Sequence, residues 1–168
     1  MRPWHRMPAL GCGLGFRREA AAAMLAACDD IPVVEVLADA YLGGPRRDWA
    51  EVGDLGTVFA LLPHGVSLSL ASTDFLADER YLAELERFVR RFDFPYYSEH
   101  FAFTKSGGVG VGHLSPVWLT RAQLRVFCRN VRAVQSLLGR SLVLENIASP
   151  LLLPGGQMSE AGFLNETV

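Results

Sequence analysis

Four apolar segments of this sequence end in, or near, a side chain that could bind a metal ion or transfer a proton. His64 ends the segment FALLPH, His100 ends FPYYSEH, and Glu145 ends SLVLE, while Glu35 lies within IPVVEVL. Each segment is typical of a buried β-strand. The polar residues therefore stand near the ends of core strands, where active-site groups of α/β proteins are often found.

Two imidazoles with one or two carboxylates can ligate a divalent transition metal, and imidazole favours iron, zinc, copper or nickel. The same groups could serve as general acids and bases. Their recurrence at matching positions of successive strands favours metal binding. His113 lies in a glycine-rich segment and is equally consistent with an exposed loop residue.

Strand and helix patterns alternate along the chain. Residues 9–16 are predicted to form a first strand that runs into a glycine-rich loop, and further strands are predicted over residues 31–37, 58–64, 94–100 and 141–145. Helices are predicted over residues 18–28, from a cap at Asp78 to Phe92, from a capping box at Thr120 to Gly139, and from Glu160, with a short helical turn at 49–55. The glycine-rich residues 104–112 are predicted to form a loop long enough to reach over a site.

Near-continuous apolar strands alternating with helices indicate a parallel sheet covered by helices. An open doubly wound sheet and a (β/α)8 barrel both fit this alternation. The polar residues at successive strand ends favour the barrel, because there they would converge on one mouth. We predict an α/β fold in which residues 1–168 form a single domain, a partial TIM-type (β/α) barrel with about five of eight parallel strands and flanking helices. The open sheet edges could mediate self-association.

The composition is that of a globular protein: half of the 168 residues are hydrophobic and the net charge is −2. This balance provides no general attraction to nucleic acid or anionic lipid. Neither a signal peptide nor a membrane span is predicted, so we expect a cytoplasmic protein with no nucleic-acid or membrane partner. The three cysteines form no CxxC pair and are expected to be free thiols in or near the core.

The spacing GCGLG at the start of the chain differs from a dinucleotide fingerprint and favours close packing of a strand end. It is one of several motifs that occur in order along nearly the whole chain: GCGLG with Arg17, HGVSLSL from His64, SEHFAF around His100, VQSLLGR, LEN from Leu144, and MSEAGFL near the end. Together these motifs resemble the MbnB/TglH-like family, formerly an uncharacterised protein family.

The resemblance implies a TIM-type barrel that holds two or three iron ions at its mouth. Characterised members use O2 to modify cysteine residues of a ribosomally made precursor peptide, usually with a separate partner protein that recognises the peptide. In methanobactin synthesis the products are an oxazolone and a thioamide, and a relative excises a carbon from a C-terminal cysteine.

Position by position, the resemblance implies that His64, His100 and Glu145 are metal ligands. Glu35, Glu99 and Asn146 would be catalytic-site groups that line the site or support the ligands.

The sequence departs from the family pattern in three ways. It has His113 where many relatives have Asp, and Ala40 where Asn is usual. The family's sixth strand, with its Asp-rich motif and further ligands, is also absent. The sequence therefore corresponds to the N-terminal portion of the family barrel, and we expect weak metal binding and impaired turnover. Alternative interpretations are another metal-dependent barrel, like a sugar isomerase (xylose isomerase-like) or an abasic-site endonuclease, and a non-catalytic truncated homologue.

Overall fold

The computed structural model describes residues 9–43, 48–74, 78–149 and 151–167. The N-terminal residues 1–8, in which no signal peptide is predicted, lie outside these ranges. The strands are β1 (Gly13–Gly15), β2 (Val33–Leu37), β3 (Ala60–Gly65), β4 (Tyr96–Phe101), β5 (Phe103–Ser106), β6 (Val109–Ser115) and β7 (Ser141–Asn146). The helices are α1 (Ala21–Ala26), α2 (Asp48–Gly56), α3 (Glu79–Phe92), α4 (Arg121–Leu138) and α5 (Glu160–Thr167).

The main sheet is parallel, and its strands lie in the order β1-β2-β3-β4-β7. Each strand of this sheet thus pairs with the next main-sheet strand along the chain. That order is typical of a (β/α) barrel, whereas a doubly wound sheet reverses its strand order at a switch point. The predicted fold class, a partial barrel of five parallel strands with flanking helices, is confirmed.

The first strand and first helix are shorter than predicted. Residue 13 begins β1 rather than residue 9, and a Cβ at Gly13 would overlap the carbonyl oxygen of Val33 on β2. This supports close strand packing as the role of the glycine. The predicted helix 18–28 contains only the short α1, flanked by 3-10 turns at Arg18–Ala20 and Cys28–Asp30, because neither end has a side-chain cap.

The predicted loop over residues 104–112 is wrong: this segment belongs to an antiparallel hairpin of β5 and β6. Gly107 and Gly108 form its turn, with φ of +57° and +75°. Two successive residues with positive φ match the twist of a two-residue hairpin, and glycine adopts them without steric cost. The glycines therefore join two strands instead of forming an extended loop.

The two long helices begin and end where the sequence predicts. Asp78 Oδ1 accepts a hydrogen bond from Tyr81 N (3.2 Å), and Thr120 Oγ1 accepts one from Gln123 N (3.1 Å). The side chain of Gln123 donates instead to the carbonyl of Ala71 (2.6 Å), so the reciprocal bond of a capping box is not formed. Gly139 ends α4 in the left-handed conformation.

The sheet has one covered and one open face. Strand residues paired in register point to the same side. On the covered side the sheet packs against the helices through buried strand residues, which include Val34, Val36, Leu61, Tyr97 and Phe101. On the opposite side, which would face a barrel's interior, Leu37 is 42% exposed and Ala60 is exposed. Nothing in the described part of the chain covers this interior face completely.

The three cysteines are free, as predicted, but Cys12 is exposed rather than near the core; Cys28 and Cys128 are partly buried. Among the helices of the described ranges, none combines the length and hydrophobicity needed to cross a bilayer.

Candidate metal centre

His64, His100 and Glu145 lie together at the carboxyl ends of β3, β4 and β7. One ligand atom from each lies within 4.8 Å of the others. Among the residues that the structure describes, they form the one group of three or more His, Cys, Asp or Glu side chains close enough to share a metal ion. The parallel sheet thus brings together residues that are far apart in the sequence.

The spacing within this group is close to that of metal ligands. His64 Nε2 lies 3.7 Å from one Glu145 carboxylate oxygen, and His100 Nε2 lies 3.9 Å from the other. Ligands bound at about 2.0–2.2 Å lie roughly 3–3.5 Å from one another. The two histidine side chains are 7% and 11% exposed and that of Glu145 is 54% exposed. Small rotations of the exposed Glu145 carboxylate would bring its oxygens to that spacing from the two Nε2 atoms.

The register explains why the three side chains share the interior face. His100 pairs directly with Glu145, and His64 pairs with Ser98, two residues before His100. Residues two apart on a strand point to the same side, so His64, His100 and Glu145 all project from one face. The rings of His64 and His100 meet edge to face, with centroids 4.5 Å apart.

Both imidazoles are held through Nδ1. His64 Nδ1 lies 3.0 Å from Ser98 Oγ, and His100 Nδ1 lies 3.2 Å from the carbonyl oxygen of Gly65. A carbonyl oxygen only accepts hydrogen bonds, so His100 carries its proton on Nδ1 and leaves the Nε2 lone pair free. Outer hydrogen bonds of this kind orient metal-binding histidines in proteins. Two imidazoles and one carboxylate form the donor set of non-haem Fe(II) sites, so these residues fit iron.

Glu99 lies behind this group, on the helix-covered side of β4. It is 1% exposed, and its carboxylate accepts hydrogen bonds from the backbone N–H groups of His100 (2.9 Å) and Leu68 (3.3 Å). Burial raises the pKa of Glu99. The resemblance implies that Glu99 lines the site or supports the ligands, and this role stays a prediction; its carboxylate holds the backbone of His100 and of the segment after β3.

The pKa of His100 lies above its ordinary value, chiefly because of Glu99. Glu99 Oε1 is 3.8 Å from His100 Nδ1, which is too long for a hydrogen bond, so the carboxylate acts through its charge. Burial opposes this effect, while the Gly65 carbonyl and Glu145 add to it.

Glu35 and Asn146, the other predicted catalytic-site residues, are not part of the three-residue group. Glu35 pairs with Leu62, which precedes His64 by two residues on β3. Glu35 therefore lies on the interior face but farther from the carboxyl end of the sheet than His64. Asn146 pairs with Phe101, which places it on the helix-covered side at the exposed end of β7. Their roles remain predictions. His113 is exposed on β6, where its Nδ1 lies 3.1 Å from the carbonyl oxygen of Leu114.

Ser98 and Gly65 lie in the motifs SEHFAF and HGVSLSL but carry no predicted role of their own, yet both shape the site. Ser98 is recognisable in retrospect, because the pattern Ser-x-His places its hydroxyl on the same face as His100. A Cβ at Gly65 would lie 2.6 Å from Glu99 Oε2 and closer still to the hydroxyl of Tyr97. The missing side chain thus makes room for the buried carboxylate behind the ligands.

The segment that follows β3, residues 66–74, is here named the β3 loop, and polar contacts hold it firmly. Ser69 has φ of +55°, which is uncommon for a residue other than glycine. Its hydroxyl accepts hydrogen bonds from the N–H groups of Thr104 (2.9 Å) and Lys105 (3.1 Å). Buried Asn130 on α4 donates to the carbonyls of Leu70 and Ser72. The β3 loop and the hairpin are therefore joined beside the ligand group.

Comparison with known proteins identifies relatives over nearly the whole chain. Residues 11–168 match the model of a family described as RiPP precursor modification enzyme MbnB/TglH/ChrH. A UPF0276 protein of Acinetobacter baylyi is 32% identical over 95% of this chain and 54% of its own length. A UPF0276 protein of Streptomyces avermitilis is 36% identical over 95% of this chain and 34% of its own.

A crystal structure of a chitinase from Chromobacterium violaceum aligns with a TM-score of 0.43 and 12% identity, covering 80% of this chain and 45% of that one. The present chain spans about half, or less, of the length of the curated relatives named above. The family model covers residues 11–168, which carry the whole ligand group. The chain belongs to the MbnB/TglH/ChrH family of RiPP precursor modification enzymes.

Proposed function

We propose that this chain supplies part of the iron centre of a cytoplasmic enzyme that uses O2 to modify cysteine residues of a ribosomally made precursor peptide, together with a separate peptide-recognition protein. The observation that carries the proposal is the convergence of His64, His100 and Glu145 at the carboxyl end of a parallel sheet. Membership of a family of precursor-peptide modification enzymes supports the substrate class.

Iron is favoured over other metals by the donor set. Two imidazoles and one carboxylate leave coordination positions open for substrate and O2, as in non-haem Fe(II) oxygenases. When bound, iron would supply the one-electron and O2 chemistry that amino-acid side chains lack. We place one ion at this group; the second and third that the family resemblance implies would need donors beyond these three residues.

The chain's own residues would hold and tune that ion. His64 and His100 present Nε2, because Ser98 and the Gly65 carbonyl hold their Nδ1 atoms. Glu145 would contribute a negative charge from an exposed position, so it can adjust to the ion and to a neighbouring substrate. The buried carboxylate of Glu99 fixes the backbone on which His100 is carried.

A cavity that could hold a peptide lies next to the segment that follows the strand of His64. A cavity of about 360 Å³ lies between the β3 loop and the hairpin, with walls that include Val66, Ser67, Gly112 and His113. The β3 loop follows the strand of His64, and the hairpin follows the strand of His100. We therefore infer that a peptide held in this cavity would present its cysteine to the open side of the ligand group.

The test is oxidation of synthetic cysteine-containing peptides by the chain in the presence of Fe(II) and O2, with and without a candidate peptide-recognition protein. We expect a mass change confined to the cysteine, lost in His64→Ala and His100→Ala and retained in Ser159→Ala, since Ser159 lies at the start of α5 and lines neither the cavity nor the ligand group. A mass change that is independent of iron, or equal in all variants, would contradict the proposal. Activity on a sugar or on an abasic-site duplex, with none on peptide, would favour another metal-dependent barrel.

A further inference from the structure

We propose that Asp39 is a positioning residue for the metal centre and acts on His100 through the peptide group that joins Gly65 to Val66. The inference deepens the proposed function and rests on its metal site. Asp39 is half-buried and follows β2, within the 3-10 turn Ala38–Ala40. It lies outside the ligand group itself.

The connection runs through the two ends of one peptide group. The N–H of Val66 donates to Asp39 Oδ2 at 2.8 Å. The carbonyl oxygen of Gly65, on the other side of the same peptide bond, accepts the Nδ1–H of His100 at 3.2 Å. A trans peptide group is planar and points its N–H and C=O in opposite directions. Asp39 and His100 therefore lie on opposite sides of this group and contact it simultaneously.

This arrangement has two physical consequences. A carboxylate that accepts from an amide N–H polarises the amide and strengthens its carbonyl as an acceptor, because linked hydrogen bonds reinforce one another. The stronger carbonyl acceptor favours the His100 tautomer with the proton on Nδ1, which leaves Nε2 available to the metal. Asp39 also fixes the orientation of the peptide group, since rotating it would break a charge-assisted hydrogen bond.

Asp39 is itself held in place by a second partner. Its Oδ1 accepts the hydroxyl of Tyr81 on α3 at 3.0 Å. The first turn of α3 is in turn capped by Asp78, which accepts from Tyr81 N. Each oxygen of Asp39 thus has one donor, and the carboxylate links α3 to the strand end that contacts His100.

The first test reads the His100 tautomer in the metal-free chain by long-range ¹H–¹⁵N NMR of the imidazole rings. We expect the Nδ1–H form to dominate in the wild type and the Nε2–H form to increase in Asp39→Asn. Asp74→Asn is the matched control, because Asp74 also accepts from a backbone N–H, that of Gly108, away from the histidines. An unchanged His100 tautomer in folded Asp39→Asn would overturn the proposal.

The second test measures Fe(II) affinity anaerobically, by competition with a chromophoric chelator. Loss of a residue that supports a metal ligand typically weakens metal binding by about 10–100-fold, and we expect a loss of that order for Asp39→Asn. The same fold-loss should appear in a Ser98→Ala background, because Ser98 contacts His64 and not His100. The His64 tautomer should be unchanged in Asp39→Asn; an equal change in the tautomers of both histidines would show a merely structural role.

A second variant and the tautomer measurement distinguish loss of the Asp39 contact from misfolding and from failure of the metal site. If Asp39→Asn fails to fold, as judged by circular dichroism, Tyr81→Phe is measured instead; it loosens Asp39 and should change the tautomer and affinity in the same direction by a smaller factor. No change in Tyr81→Phe would then count against the proposal. If the wild type binds no Fe(II), the proposed function fails, whereas the tautomer measurement still decides the role of Asp39.

Discussion

Gly65 and Glu99 occupy paired positions on β3 and β4, and the carboxylate of Glu99 fills the space beside Gly65 where a side chain would begin. A Cβ at Gly65 would lie 2.6 Å from Glu99 Oε2, closer than such atoms approach without a shift. The carboxylate is buried and satisfied by backbone N–H groups, so it cannot move into solvent. The position of the candidate metal ligands in front thus depends on the absence of a side chain at Gly65 behind them.

Gly65→Ala should destabilise the protein by about 3 kcal/mol, because it overpacks the site and displaces a buried hydrogen-bonded carboxylate. Gly53→Ala is the matched control: Gly53 lies in α2, and its Cβ would make an ordinary 3.8 Å contact with Phe92. That change should stabilise by about 0.5–1 kcal/mol. Urea unfolding measures both. Equal effects of the two substitutions would contradict the predicted clash.

Ser98→Ala should weaken Fe(II) binding by about 10–100-fold, because His64 loses the partner that holds its Nδ1. Ser159→Ala serves as the control, since Ser159 accepts from Gly162 N at the start of α5. It should cost about 1 kcal/mol of stability and leave metal affinity unchanged. Chelator competition and thermal unfolding separate the two effects. Unaltered Fe(II) affinity in Ser98→Ala would show that Ser98 does not support metal binding.

Metal affinity should rise with pH through the range above 6.5. A histidine must lose its proton to bind metal, and the pKa of His100 is raised, chiefly by Glu99, so protons compete up to that raised pKa. Glu99→Gln should shift the rise to lower pH. The folding stability of the metal-free protein should instead fall as pH rises. A pKa that is raised in the folded state contributes stability that is lost as pH increases through that pKa. Affinity independent of pH would contradict this.

Association of the chain through its sheet edges is the fourth prediction. Within the described residues, β1 and β7 each pair on one side only, and Leu14 on β1 is 54% exposed. Unpaired strand edges favour pairing between chains. Light scattering should show a mass that grows with concentration and falls in Leu14→Lys, since edge lysines oppose such pairing. A monomer at all concentrations would refute the prediction.

The residues that converge on the site could be predicted because each ends a recognisable apolar strand. The face of the sheet on which Glu99 and Asn146 lie was also predictable. They are sequence neighbours of His100 and Glu145, and successive residues of a strand point to opposite faces. The alternation is therefore consistent with a supporting role for Glu99 behind the candidate ligands, while the roles predicted for Glu35 and Asn146 stay predictions. The register between β2 and β3 pairs Glu35 with Leu62 rather than with His64. That register is a tertiary property, and no local sequence pattern reveals it.

Other features depend on contacts between distant segments. The glycine pair at residues 107 and 108 is compatible with a loop or a hairpin turn, and pairing of the flanking strands decides between them. The link from Asp39 to His100 involves three separate strand ends and a backbone peptide group. Side-chain types along the sequence carry no signal for a contact made by backbone atoms.

The central claim is that His64, His100 and Glu145 together hold an iron ion, and the metal content of the anaerobically loaded chain tests it most directly. Because weak binding is expected, the chain is dialysed to equilibrium against excess Fe(II), and the iron bound above that in the dialysate should be about one per wild-type chain, as expected for one such donor set. His113→Ala should retain that content, while His64→Ala, His100→Ala and Glu145→Ala should each lose most of it. Equal iron content in the wild type and all four variants would contradict the account.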